Sequence, residues 1–139
     1  MKRMNELDFY LATLPNYLSY FVAQICLIAI FTAIYTTVTP YREFTLIRQG
    51  NATAAISLVG VVIGFALALL SVSAHAGNLV DMVVWGVIAL IAQLLMFVVV
   101  SRLLPGFRQG IEGNTMAYGV TLGGLSIAMG LINAGALTY

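Results

Sequence analysis

Charge is what this chain has least of. Its 139 residues include six basic and five acidic side chains, 8% of the whole, where a soluble domain carries about 25%. The few charges fall in clusters, leaving charge-free runs at 9–41, 49–80, 82–101 and 113–139. Each is long enough for the roughly 20 apolar residues that carry a helix across a bilayer. A net charge of +1 offers no basic field for nucleic acid. The single cysteine, Cys26, excludes an intrachain disulfide and the two-cysteine metal motifs. The single histidine, His75, has only Asp81 near it in sequence, so no metal centre is expected. Ser71, Ser73 and His75 do not make a nucleophile, base and orienter, and no enzyme chemistry or cofactor is expected.

What is present is hydrocarbon, 61% of all residues. Inside lipid every backbone polar group must be satisfied internally, which leaves helices or a closed barrel. Long unalternating runs favour helices. The expected fold is therefore an all-α membrane protein with four transmembrane helices, near 17–38, 52–73, 82–104 and 116–137. Pro15 suits the start of the first span, and Pro40 and Pro105 close the first and third. Asn51 and Asn114 stand just before the second and fourth, where an amide oxygen caps free N–H groups. Glu6 and Asp8 interrupt what would be the basic region of a secretory signal, so the first helix is read as retained. Residues 1–16 are expected as an N-terminal tail, in which residues 4–14 make either a short interfacial helix, with Phe9, Tyr10 and Leu14 in the headgroup region, or a frayed end.

Arginine sets the expected orientation. Arg42 and Arg48 lie in the first loop, Arg102 and Arg108 border the third, and the second loop has neither Lys nor Arg. The positive-inside rule then places loops one and three in the cytoplasm and both termini outside, with Lys2 and Arg3 opposing. The chain also echoes itself: Pro40 and Arg42 recur as Pro105 and Arg108, and Asn51 with Gly60 as Asn114 with Gly123. Two parallel helix-hairpin repeats are expected, related by an axis along the membrane normal.

Gly60 and Gly64, then Gly119 and Gly123, are GxxxG pairs, and Ser126, Gly130 and Ala134 continue the small residues. Such faces let helices approach closely, either within the chain or between copies in a homo-oligomer. Gln24, Gln93 and Asn133 are the amides in the apolar spans; they serve as interhelical bonds or line a polar path. Arg42, Arg48 and Arg108 are candidates for contact with anionic lipid or a cytoplasmic protein partner. No Asp, Glu, Lys or Arg stands mid-span, which removes the usual proton- or ion-coupling group.

Two stretches are more specific. Thr39-Pro40-Tyr41-Arg42-Glu43-Phe44-Thr45-Leu46-Ile47-Arg48, followed by Asn51-Ala52-Thr53-Ala54-Ala55-Ile56, resembles the YjfL-like family of small bacterial inner-membrane proteins, a domain of unknown function. Trp85-Gly86, Ile88-Ala89-Leu90, Gln93-Leu94-Leu95, Asn114-Thr115 and Ile132-Asn133-Ala134-Gly135-Ala136 extend the resemblance. It implies a four-helix bacterial inner-membrane protein with no catalytic residues to carry over, in a supporting role linked to envelope stress or membrane-associated partners. The leading expectation is a non-enzymatic membrane subunit that oligomerises or docks a partner. The alternative is an oligomeric conduit for ions or small solutes.

Overall fold

The computed structural model describes residues 5–138. They form six helices: α1 Glu6–Val38, α2 Glu43–Arg48, α3 Ala52–His75, α4 Leu79–Leu103, α5 Phe107–Glu112 and α6 Met116–Ala136. α1, α3, α4 and α6 are long and apolar enough to cross a membrane. At 1.5 Å per residue the last three measure about 36, 38 and 32 Å, close to the roughly 30 Å of hydrocarbon.

The long helices pair in two directions. Gly119 meets Thr53 and Gly130 meets Gly64, and Ser71 Oγ donates to Ala134 O at 2.8 Å, so α3 and α6 run parallel. Leu27 lies against Gly86, and the Tyr35 ring stands 5.3 Å from that of Phe97, so α1 and α4 run parallel too. The tight turn between α3 and α4 makes the pairs antiparallel to each other. In that turn Asn78 Oδ1 accepts the Asp81 N–H at 2.9 Å, while Asp81 Oδ2 accepts the Gly77 N–H at 3.0 Å. This reciprocal cap satisfies N–H groups that the helix cannot. Loops one and three therefore share one end of the bundle, here called the loop face. The α3–α4 turn and the end of α6 share the other.

α1 departs from expectation. The helix starts at Glu6 and runs unbroken for 33 residues, about 50 Å, so residues 6–16 of the expected tail continue directly into the first span. Pro15 lies inside it rather than at its start. Proline has no N–H for the Leu11 carbonyl, and Ser19 Oγ donates to Pro15 O at 2.8 Å. Residues 5–19 are all exposed. Packing begins with the half-buried Tyr20 and Ala23, and Leu27, Phe31 and Tyr35 form a buried stripe at four-residue spacing. The basic residues Lys2 and Arg3, and Tyr139 at the far end, lie outside the described residues.

Loops one and three are also more ordered than a reading as loops suggested. Each holds a six-residue helix, and both end in the same way. The Gly50 N–H bonds Ile47 O at 3.0 Å and the Asn51 N–H bonds Leu46 O at 2.9 Å. Likewise the Asn114 N–H bonds Ile111 O at 3.1 Å and the Thr115 N–H bonds Gly110 O at 2.9 Å. These are paired Schellman turns, which need a left-handed residue after the helix cap. Gly50 supplies it with φ +83° and Asn114 with φ +57°. The backbone thus matches Gly50 to Asn114 and Asn51 to Thr115. Pairing Asn51 with Asn114 by sequence was one residue out of step. Asparagine both caps helices and tolerates the left-handed region; Asn51 caps the helix that follows it, whereas Asn114 takes the left-handed position.

Candidate functional site

The loop face gathers the chain's polar chemistry. Chain reversal at Thr39 and Pro40 turns Tyr41 inward, to 4% exposure, with its ring 6.1 Å from Phe107 of the other half. Phe107 in turn stands 6.0 Å from Phe97 and 6.2 Å from Tyr118. Rings continue into the bundle through Tyr35 to Phe31, which meets Phe65 at 4.5 Å. Loop geometry is therefore anchored to the core by aromatic packing.

Beneath this layer lies a residue that sequence reasoning missed. Glu43, the first residue of α2, is 1% exposed. On the backbone match it occupies the place of Phe107. In α2 the inward positions are Glu43, Leu46 and Ile47, and in α5 they are Phe107, Gly110 and Ile111, at the same helical spacing. That spacing was the available signal. Glu43 Oε1 accepts the Thr39 hydroxyl. Its other oxygen, like the hydroxyls of Tyr35 and Tyr41, meets no protein partner. Burial disfavours the charged form and pushes the Glu43 carboxyl up from its ordinary value, with the Thr39 hydrogen bond opposing. Burial also pushes the Tyr41 phenol well up.

Above Glu43 the loop face opens into a pocket of about 460 Å³. Arg42 from the first half and Arg108 from the second both line it, with Thr36, Thr39 and Thr45 between. Arg108 Nε donates to Glu112 Oε1 at 3.0 Å, and Glu112 also lines the pocket. Arg48, grouped with these arginines by sequence, does not line it. The two Asn residues stitch the loops together. Asn51 Oδ1 accepts the Ala54 N–H at 2.9 Å while its Nδ2 donates to Ile111 O at 2.8 Å. Asn114 does not cap its own helix; its Oδ1 accepts the Thr53 N–H at 3.0 Å and hydroxyl at 2.9 Å.

The glycine faces lie elsewhere, between α3 and α6. A Cβ on Gly60 would overlap Gly123, and one on Gly130 would overlap the Gly64 carbonyl. On Gly119 it would strike Thr53 O, and on Gly123 it would stand 3.0 Å from Ile56 O. The GxxxG glycines are thus used within the chain. Gly64 also makes room for Gln93, whose Nε2 donates to Ser126 O at 3.1 Å. Gln93 is 1% exposed, whereas Gln24 and Asn133 are half-buried. None of the three lines the loop-face pocket, and no hydrogen bond joins them. At the opposite end the His75 ring Nδ1 donates to Ser71 O at 2.8 Å. Among the described residues no three His, Cys, Asp or Glu side chains gather as a metal group, and Cys26 is exposed.

Against known proteins, a family described as Domain of Unknown Function (DUF350) matches residues 8–137. The chain belongs to this family. It is 32% identical over 136 residues to the UPF0719 inner membrane protein YjfL of Escherichia coli (strain K12), covering 98% of this chain and all of that protein. It is 28% identical over 134 residues to the UPF0719 transmembrane protein YshE of Bacillus subtilis (strain 168), covering 94% of this chain and 98% of that one. No solved structure matches. Together with the four apolar helices, the family makes this an integral, multi-pass inner-membrane protein whose biochemical activity is not established.

Proposed function

We propose that this protein is a non-enzymatic membrane subunit that self-associates in the bilayer and presents its loop face to a cytoplasmic protein partner. One observation carries the reading: Gln93, the most buried amide of the spans, bonds a backbone carbonyl across a close helix contact. Amides serving as a solute path would instead converge on a wet cavity. The loop face, with Arg42 and Arg108 at its rim and reversals locked by Schellman turns, suits docking better than chemistry. The GxxxG glycines hold α3 to α6, so self-association is left to apolar surface beside that contact. One such surface is the outer α3–α6 groove of about 410 Å³, lined by Ile56, Val59, Ile63 and Val120, with Gly60 and Gly123 on its floor. Orientation with loops one and three in the cytoplasm rests on the arginine bias. A part in envelope stress rests on the family resemblance alone.

Reconstitution tests it. Liposomes carrying the protein are expected to pass ions and small solutes no faster than empty ones, while sedimentation in detergent gives a defined oligomer. Flux above empty vesicles would favour the conduit reading. A strict monomer that crosslinks to nothing from photoreactive residues on the loop face would end the subunit reading.

A further inference from the structure

We propose that the loop-face pocket between Arg42 and Arg108 is a binding site for a phosphate group, that of an acidic phospholipid headgroup. Folding brings together two guanidinium groups from loops that are far apart in sequence, on one pocket of about 460 Å³. Guanidinium recognises phosphate with paired hydrogen bonds, and basic pockets between transmembrane helices take anionic headgroups. Arg108 uses Nε on Glu112, which leaves its two terminal amino groups for a ligand. The Glu112 carboxylate offsets one of the two positive charges, so the site selects a singly charged group such as a phosphodiester.

Depth decides between occupants. Thr36 belongs to the last turn of α1 and Thr39 ends it, so the wall reaches from the loops down to the end of a membrane span. Phospholipid phosphates sit at that level. An acidic side chain of a soluble partner would have to enter the headgroup layer to reach it. The site stands whether or not a protein docks on the same face.

The test uses the full chain in a neutral detergent, titrated with phosphatidylglycerol or phosphatidylcholine of equal acyl length and followed by native mass spectrometry. Phosphatidylglycerol is expected to be retained preferentially. Arg42→Gln and Arg108→Gln should each weaken it about fivefold, the loss expected from about 1 kcal/mol per arginine at an anionic surface. Arg48→Gln, outside the pocket, should leave retention unchanged, and Arg42→Lys should retain most of it. Thr45→Glu keeps both arginines and should abolish it, with helicity by circular dichroism intact. Equal retention of the two lipids overturns the proposal and leaves the pocket to an acidic protein group. An Arg48→Gln loss as large as that of Arg42→Gln also overturns it, by showing a diffuse field. Displacement of the lipid by millimolar inorganic phosphate overturns the lipid assignment in favour of a soluble phosphate.

Discussion

The side-chain oxygen of Asn114 accepts the backbone N–H of Thr53 at 3.0 Å, across 61 residues of chain. An asparagine that ends α5 in the left-handed region thereby caps α3, the most buried helix of the bundle. Two costs are separable at this one position. Asn114→Gly removes the cap but accepts the backbone angle, and should cost about 1 kcal/mol. Asn114→Ala loses the cap and adds left-handed strain, roughly a further 1–2 kcal/mol. Thermal unfolding in detergent should rank wild type above Gly and Gly above Ala. If Ala and Gly were equal, the left-handed turn would not be a constraint.

Helix approach gives a sharper contrast. Gly130→Ala would drive a methyl into the Gly64 carbonyl, and backbone cannot yield as a side chain can. The α3–α6 pair must then separate, at a cost of about 2 kcal/mol or more. Gly124→Ala lies in the same helix with nothing within 4 Å, and should be neutral within about 0.5 kcal/mol. Equal effects of the two substitutions on the melting temperature would mean the helices are not held by this face.

Span number, the glycine faces and the Asn51 cap were legible because each rests on local rules: apolar length, four-residue spacing, a capping side chain. What lay hidden depends on partners distant in sequence. Asn114 follows every rule for a helix N-cap, yet the turn it completes belongs to the helix before it. Pro15 reads as a boundary, but residues 5–19 are all exposed, so no packed neighbour is disturbed by a proline inside the helix there. Glu43 sits in a cluster with Arg42 and Arg48 and looks solvated. Only the helical register of α2, set by Leu46 and Ile47, turns it inward. The pairing of Arg42 with Arg108 on one pocket follows from the loops meeting, which no spacing within either loop encodes.

Burial of Glu43 makes stability depend on pH. Its carboxyl pKa is raised on folding, so the folded chain holds this proton more tightly than the unfolded chain does. The resulting stabilisation is complete below the ordinary carboxylate range and is lost as pH rises through the raised value. Above that, the fold carries a buried carboxylate without a cationic partner. Glu43→Gln keeps an acceptor for the Thr39 hydroxyl and cannot ionise. Its melting temperature should stay flat over the window in which that of the wild type falls, and should exceed it once pH has passed through that window. Parallel curves for the two proteins would show that Glu43 does not titrate there.

Gln93 separates interhelical bond from solute path most directly. Its Nε2 bonds Ser126 O at 3.1 Å, while its Oε1 has no partner. In a purely structural role the amide contributes about 1 kcal/mol at most, because hydrogen bonds within membranes are worth that little net. Gln93→Leu has similar volume and removes both the bond and the unsatisfied oxygen, so the two changes offset. Melting temperature and oligomer size should both be nearly unchanged. Gln93→Glu retains the shape but places an ionisable group among Gly64, Ser126 and Val61. It should destabilise by about 2–3 kcal/mol, the range for a carboxylate at mid-span. Under the conduit reading the order reverses for function: Leu would block flux in liposomes, and Glu would alter its ion selectivity. Flux that is present in the wild type and absent in Gln93→Leu would therefore replace the structural role with a conducting one.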